Sequence, residues 1–198
     1  MTPPSAIPRP AGMDVPKHRV FVGVPVPTDL AVLLAGPGRQ GPPCAAQARW
    51  TTPGDLHMTL KFIGPVDAAF AGKICERLRQ VRFAPFPVSL EGVGAFPHAG
   101  VLLLHGVVED ELLHLQQAVE QAAFAAGCPL EQRPFRPHLT LARYKKSRSG
   151  PLCSQRELSA WWKQRGLSLP PLRFLVDSFA LYETVGGHYQ VMESFPSK

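Results

Sequence analysis

Charge is sparse in this sequence, and acidic charge is the sparser kind: Asp, Glu, Lys and Arg make up 18% of the 198 residues, 15 of them acidic against 21 basic. The resulting net charge of +6 favours an anionic partner such as nucleic acid or nucleotide, and says nothing about fold. Cysteine is scarce as well, and Cys44, Cys75, Cys128 and Cys153 form no C-x-x-C pair. That argues against a zinc site or a disulfide framework, and leads to the expectation of reduced thiols in a cytoplasmic protein. No apolar run reaches the roughly 18 residues of a membrane-spanning helix, so no membrane association is expected. No H-E-x-x-H or comparable spacing offers a metal site, and no metal or cofactor is expected. The stretch from Met1 to Pro16 lacks the apolar segment of a secretory signal and carries Pro3, Pro4, Pro8, Pro10 and Pro16. Residues 1–17 are therefore expected to be a disordered Pro-rich extension, with Met13 as an alternative start. Residues 18–198 are expected to form a single domain, by default a monomer, and a hydrophobic content of 45% suffices for its core.

Against this background one pattern stands out. His-x-Thr-x occurs twice, as His57-Met58-Thr59-Leu60 and as His138-Leu139-Thr140-Leu141. With 7 His in 198 residues, chance placement gives well under one copy of such a pattern. Each copy lies in a run that reads as a β-strand. Side chains alternate faces along a strand. In the first copy Leu56, Met58, Leu60 and Phe62 share one face, and His57, Thr59 and Lys61 share the other. In the second, Leu139 and Leu141 oppose His138 and Thr140. Each strand thus presents an apolar face to a core and a polar face to a cleft.

The rest of the chain supplies alternating strands and helices. His18–Val24 reads as a strand, Thr28–Leu34 as a helix, Arg39–Ala46 as a Gly/Pro loop and Ala48–Trp50 as a short strand. The first His-x-Thr strand follows the Pro53-Gly54 turn. Helical spacing marks Asp67–Val81, and Phe86–Ala95 and Gly100–His105 read as strands joined near Pro97. Glu109–Ala126 reads as a helix stopped by Gly127. After the second His-x-Thr strand come a basic loop at Lys145–Pro151, a helix at Leu158–Lys163, and a closing hairpin of Leu172–Tyr182 and His188–Phe195. This order predicts an α+β fold of two similar lobes. Each lobe would hold an antiparallel sheet flanked by helices and contribute one histidine strand to a central cleft.

Two imidazoles on one cleft suit phosphodiester hydrolysis without a metal. An attacking water must lose a proton, a leaving oxygen must gain one, and the non-bridging oxygens must be stabilised. Histidine has an ordinary pKa of about 6.5, so one ring can be neutral while another is protonated near pH 7. Thr59 and Thr140 can hydrogen-bond a phosphate without adding charge. Arg143 is the candidate cation, although strict alternation puts it on the core face unless a strand end or bulge intervenes. Lys61 has the right parity but a weaker case. Trp50, Tyr182 and Tyr189 are candidates to stack on a nucleobase, with core packing as the competing role. The run from Arg143 to Arg148 can meet RNA phosphates or serve as a solvated loop. His18, His98, His105, His114 and His188 stand alone and are expected to be structural or surface residues.

The segments LHMTLKFIG, FRPHLTLAR and LYET…GGHY, with the opening HRVFVGVPVP, resemble the 2H phosphoesterase superfamily, and within it the LigT-like (ThpR-type) RNA 2′,3′-cyclic phosphodiesterases. The resemblance covers about residues 18–195. It implies a bilobed α+β fold with a central cleft, and metal-independent hydrolysis of RNA or nucleoside 2′,3′-cyclic phosphate ends to 2′-phosphates. It further implies that His57 is the proton donor and His138 the proton acceptor. Alternatives are 2′-5′ RNA end joining, another 2H nucleotide phosphodiesterase activity, or a non-catalytic RNA-binding module.

Overall fold

The computed structural model describes residues 18–35, 42, 48–144, 153–164 and 172–198. The Pro-rich extension, the loop at 39–46 apart from Pro42, and the basic loop at 145–151 lie outside the described residues. Nine strands and four helices are described: β1 (His18–Pro25), α1 (Thr28–Ala35), β2 (Arg49–Trp50), β3 (His57–Val66), α2 (Ala68–Leu78), β4 (Phe86–Phe96), β5 (Val101–Gly106), α3 (Asp110–Ala126), β6 (His138–Arg143), α4 (Gln155–Gln164), β7 (Leu172–Val176), β8 (Ser178–Val185) and β9 (His188–Pro196). Short 3-10 turns at Pro53–Asp55 and Pro97–Ala99 precede β3 and β5.

The helices begin and end where local chemistry dictates. Asp67 caps α2, its carboxylate accepting from the Phe70 N–H at 2.7 Å. Ala71, Ile74, Cys75 and Leu78 form its buried stripe. In α3 the buried positions include Leu112, Leu115, Val119 and Ala123, and Gly127 ends the helix with φ 111°, a left-handed conformation that glycine adopts freely. No described helix is long and apolar enough to cross a membrane.

All nine strands join one antiparallel sheet in the order β7-β4-β5-β6-β3-β1-β8-β9, with β2 added beside β6. The sheet is curled. Only Asp177 separates β7 from β8, yet β7 ends the path and β8 is six places away. In a flat sheet six spacings would be about 29 Å, far beyond what one linking residue spans. Curling brings the two ends together, and the Lys198 N–H donates to the Phe83 carbonyl across the gap at 3.1 Å.

Three expectations change. The two lobes do not have separate sheets: β3 and β6 are hydrogen-bonded neighbours at the middle of one sheet, with three further strands of the path on each side. The segment Leu172–Tyr182 is two strands rather than one, because its first half pairs with β4 and its second with β1. Finally, Cys75 and Cys128 are free thiols but Cys153 is disulfide-bonded, so the expectation of reduced thiols fails at Cys153. Cys44 lies outside the described residues.

Candidate active site

The two histidine strands meet at one bridged pair, Met58 with Leu139, in antiparallel register. Both side chains are fully buried. Their neighbours along each strand point to the opposite face. The register therefore sets His57 beside Thr140 and Thr59 beside His138. The two histidines occupy a diagonal of this square, where neighbours lie about 7–8 Å apart and Cβ atoms somewhat closer.

Each motif ends in a bulge. On β3, Thr59 pairs with Gly23 and Lys61 with Val22, leaving Leu60 as an extra residue. On β6, Thr140 pairs with Leu103 and Ala142 with Leu102, leaving Leu141 extra. The burial sequence over the six residues from each histidine is the same as a result. A bulge resets the alternation. Arg143 turns outward, which removes the conflict that strict alternation raised. Lys61 and Phe62 exchange their expected faces: Phe62 is exposed and Lys61 is 5% exposed. Lys61 therefore leaves the list of candidates. Its ammonium is held in the core by the Glu120 carboxylate and the Pro129 carbonyl.

Both imidazoles are anchored in the same way. His57 Nδ1 lies 2.8 Å from the Asp55 carbonyl, and His138 Nδ1 lies 2.7 Å from the Arg136 carbonyl. A carbonyl only accepts, so each Nδ1 carries the proton and donates it. That leaves each Nε2 as the nitrogen with a lone pair to offer. Aromatic rings wall in His57: Phe21 at 4.5 Å, Tyr189 at 4.8 Å and Tyr182 at 5.8 Å between centroids. The edge-on Phe96 ring lies 5.1 Å from His138.

Burial is the largest cause that lowers the His57 pKa. The Asp55 carbonyl acts the other way, and the positive charges of Arg143 and His138 push it down further, to about 4. Burial also lowers the His138 pKa, opposed by the Arg136 carbonyl and aided by His105 and Arg143. In the free site both shifts run toward the neutral ring. The cause is the same for each ring: it is sheltered from water and faces other cations.

A pocket of about 190 Å³ opens beside His57, and its walls include Trp50, Thr140, Arg143 and Tyr189. Four of the residues predicted alongside His57 therefore share its pocket. Thr59 and His138, the other cross-strand pair of that square, are not part of that wall. Tyr182 is a correction: it is 6% exposed and stacks on Phe21 behind His57, so its ring has no free face for a base. Burial pushes its phenol up to about 12. A larger cavity of about 310 Å³ borders β4, β5 and α4 and holds none of the predicted residues. The smaller pocket is the better site, because reactive and polar groups converge there. Among the described residues no three His, Cys, Asp or Glu side chains cluster as a metal site.

Sequence reasoning missed Asp55. Its carboxylate accepts from Thr52 Oγ1 at 2.6 Å, His188 Nδ1 at 2.8 Å and the Tyr189 N–H at 2.9 Å. Burial raises the Asp55 pKa, but these hydrogen bonds outweigh it and hold the carboxyl below its ordinary value. One residue thus ties the β8–β9 turn to the pocket and, through its carbonyl, orients His57. His188, set aside as a lone histidine, is its partner from 133 positions away. No local spacing announces such a pair. Arg49 also reaches the pocket from β2.

Residues 47–188 match the family described as the 2′-5′ RNA ligase superfamily. The chain belongs to that superfamily. An RNA 2′,3′-cyclic phosphodiesterase of Aeropyrum pernix is 39% identical over 101 residues, which are 49% of this chain and 57% of that protein. One from Bacillus subtilis is 31% identical over 135 residues, 66% of this chain and 73% of that protein. The chain spans about half the length of the curated relatives it matches first, 57% of the Aeropyrum protein and 42% of a Geobacillus stearothermophilus one. Among solved structures, E. coli LigT in its apo form superposes with a TM-score of 0.70 at 22% identity, covering 92% of this chain and 99% of that one. This superfamily member therefore has the LigT fold, an α+β fold with one curled antiparallel sheet.

Proposed function

We propose that this chain hydrolyses RNA or nucleoside 2′,3′-cyclic phosphate ends to 2′-phosphates, using two histidines and no metal or cofactor. One observation carries the reading: two Nδ1-anchored imidazoles on adjoining strands, each followed two residues later by a threonine on the same face. The activity for which the relatives are named supports it. In this reading the strands on either side of the β3–β6 junction act as two lobes around the cleft.

Water gives a proton to His138 Nε2 as its oxygen attacks phosphorus. The bond from phosphorus to O3′ breaks, and O3′ takes a proton from His57 Nε2. The ring protons then exchange with solvent and reset the site. Each transfer contributes about 10²–10⁴-fold. The direction, with His57 as acid and His138 as base, follows the family resemblance. His57 is neutral in the free site, so its protonation must accompany binding. The negative phosphodiester raises its pKa by proximity. Thr59 and Thr140 hydrogen-bond the non-bridging oxygens, and Arg143 adds positive charge where negative charge shifts. Trp50 and Tyr189 offer faces or edges to the base. The protein acts as a monomer on RNA in the cytoplasm. The disulfide at Cys153 counts against the thiol-based argument for that compartment.

The test is incubation of purified protein in EDTA with 2′,3′-cyclic AMP and with an oligoribonucleotide ending in a cyclic phosphate. The expected product is a 2′-phosphate. A 3′-phosphate reverses the leaving-group assignment, and a strict need for a divalent ion contradicts the mechanism. Tight RNA binding without turnover identifies a non-catalytic module. The superfamily's description supports a second reading, 2′-5′ end joining, which is the reverse chemistry at the same histidines.

A further inference from the structure

The short β2 strand is paired with β6 so that Arg49 stands directly opposite Arg143. Like charges in this cross-strand position repel, which is a destabilising arrangement. Neither guanidinium forms an ion pair among the described residues. Both line the pocket that holds His57. Arg49 Nη2 donates to the Gly187 carbonyl at 3.1 Å, so its fork is steered toward the β8–β9 turn that carries Tyr189. Two unneutralised forks on adjoining strands form a seat for two negative charges, and a guanidinium binds phosphate oxygens in a directional, two-pronged way.

The proposed hydrolysis uses one phosphate, and Arg143 serves it. A cyclic mononucleotide has no second phosphate to offer. An RNA 3′ end has one, on the 5′ side of its last nucleotide. We propose that Arg49 binds that upstream phosphate, so that the pocket takes the 3′ end of an oligoribonucleotide in preference to a free cyclic mononucleotide. This rests on the hydrolytic reading above for the identity of the first phosphate.

The experiment compares Arg49→Met and Arg49→Lys with the unaltered protein. One arm measures kcat/KM on a dinucleotide ending in a 2′,3′-cyclic phosphate and on 2′,3′-cyclic AMP. The expected result is that Arg49→Met lowers the dinucleotide-to-mononucleotide ratio by about tenfold. Arg49→Lys keeps the charge but loses the fork, and should fall between. A ratio that does not change overturns the proposal, because Arg49 then acts on both substrates alike or on neither. The second arm needs no turnover. It measures binding of a fluorescent oligoribonucleotide ending in a 2′-phosphate as salt is raised. Losing one phosphate contact should reduce the slope of log K against log[salt] by about 0.7. An unchanged slope also overturns the assignment of Arg49. Absence of turnover in the unaltered protein with a slope that still drops sinks the hydrolytic reading while leaving Arg49 on an RNA phosphate.

Discussion

Replacing Lys61 by methionine separates the bulged strand from a strictly alternating one. Under strict alternation Lys61 would face the cleft, and its loss would change stability by no more than about 0.5 kcal/mol, as for an ordinary surface site. The bulge at Leu60 instead turns it into the core, where its side chain is 4% exposed and that of Glu120 is 11% exposed. The Glu120 Oε1 atom also accepts from the Glu131 N–H at 2.8 Å, so this carboxylate cannot swing away to water freely. Lys61→Met leaves it buried without its cation. Removing one member of a buried pair costs about 3–5 kcal/mol. For a chain of this length that lowers Tm by roughly 6–20 °C. Lys61→Met with Glu120→Leu should recover most of the loss, since an apolar pair of similar volume leaves no orphaned charge. Thermal unfolding followed by circular dichroism reads the stability. Initial rates on 2′,3′-cyclic AMP read the site, and KM should not move. A Tm shift within about 2 °C accompanied by a raised KM would refute the bulged geometry.

Other consequences of the site are open to measurement. His57→Ala and His138→Ala should each lower kcat by about 10²–10⁴-fold with the fold intact by circular dichroism, and an alanine variant at full rate removes that ring from the chemistry. Because the folded His57 pKa is depressed to about 4, the unfolded chain binds more protons between about pH 6.5 and pH 4. Stability should therefore be complete above pH 6.5 and fall toward pH 4, by on the order of 3 kcal/mol from this group. His57→Gln should flatten that dependence in urea titrations, and an equally steep curve in the variant rejects the assignment. The same depression predicts that the decline of kcat/KM with rising pH sets in below the ordinary histidine pKa of about 6.5, while the kcat profile lies at higher pH, because bound phosphate raises the rings. Coincident profiles contradict that. Asp55→Ala removes the acceptor of three hydrogen bonds, so it should loosen the β8–β9 turn and raise KM several-fold, as steady-state kinetics would show.

The repeat of His-x-Thr, read with a period of two, was enough to put His57 with Thr59 and His138 with Thr140 on polar faces above the buried Met58 and Leu139. Helix positions followed from capping and spacing, as at Asp67 and Gly127. Three features were illegible for physical reasons. A bulge is one residue of slippage against a partner strand, so nothing local in Leu60 or Leu141 revealed that Lys61 would turn inward and Arg143 outward. The split at Asp177 depends on two different partners, β4 and β1, found far away in the chain. The Asp55–His188 pair joins residues 133 positions apart, and each looked ordinary alone.

By itself the sequence determined the α+β class, and the two histidines and the threonines that share their strand faces, because strand alternation and residue chemistry are local. Only the tertiary structure decided that the halves share one curled sheet, which cations face the pocket, and in which direction burial shifts the two rings. Those outcomes depend on register, burial and neighbours brought together from distant parts of the chain.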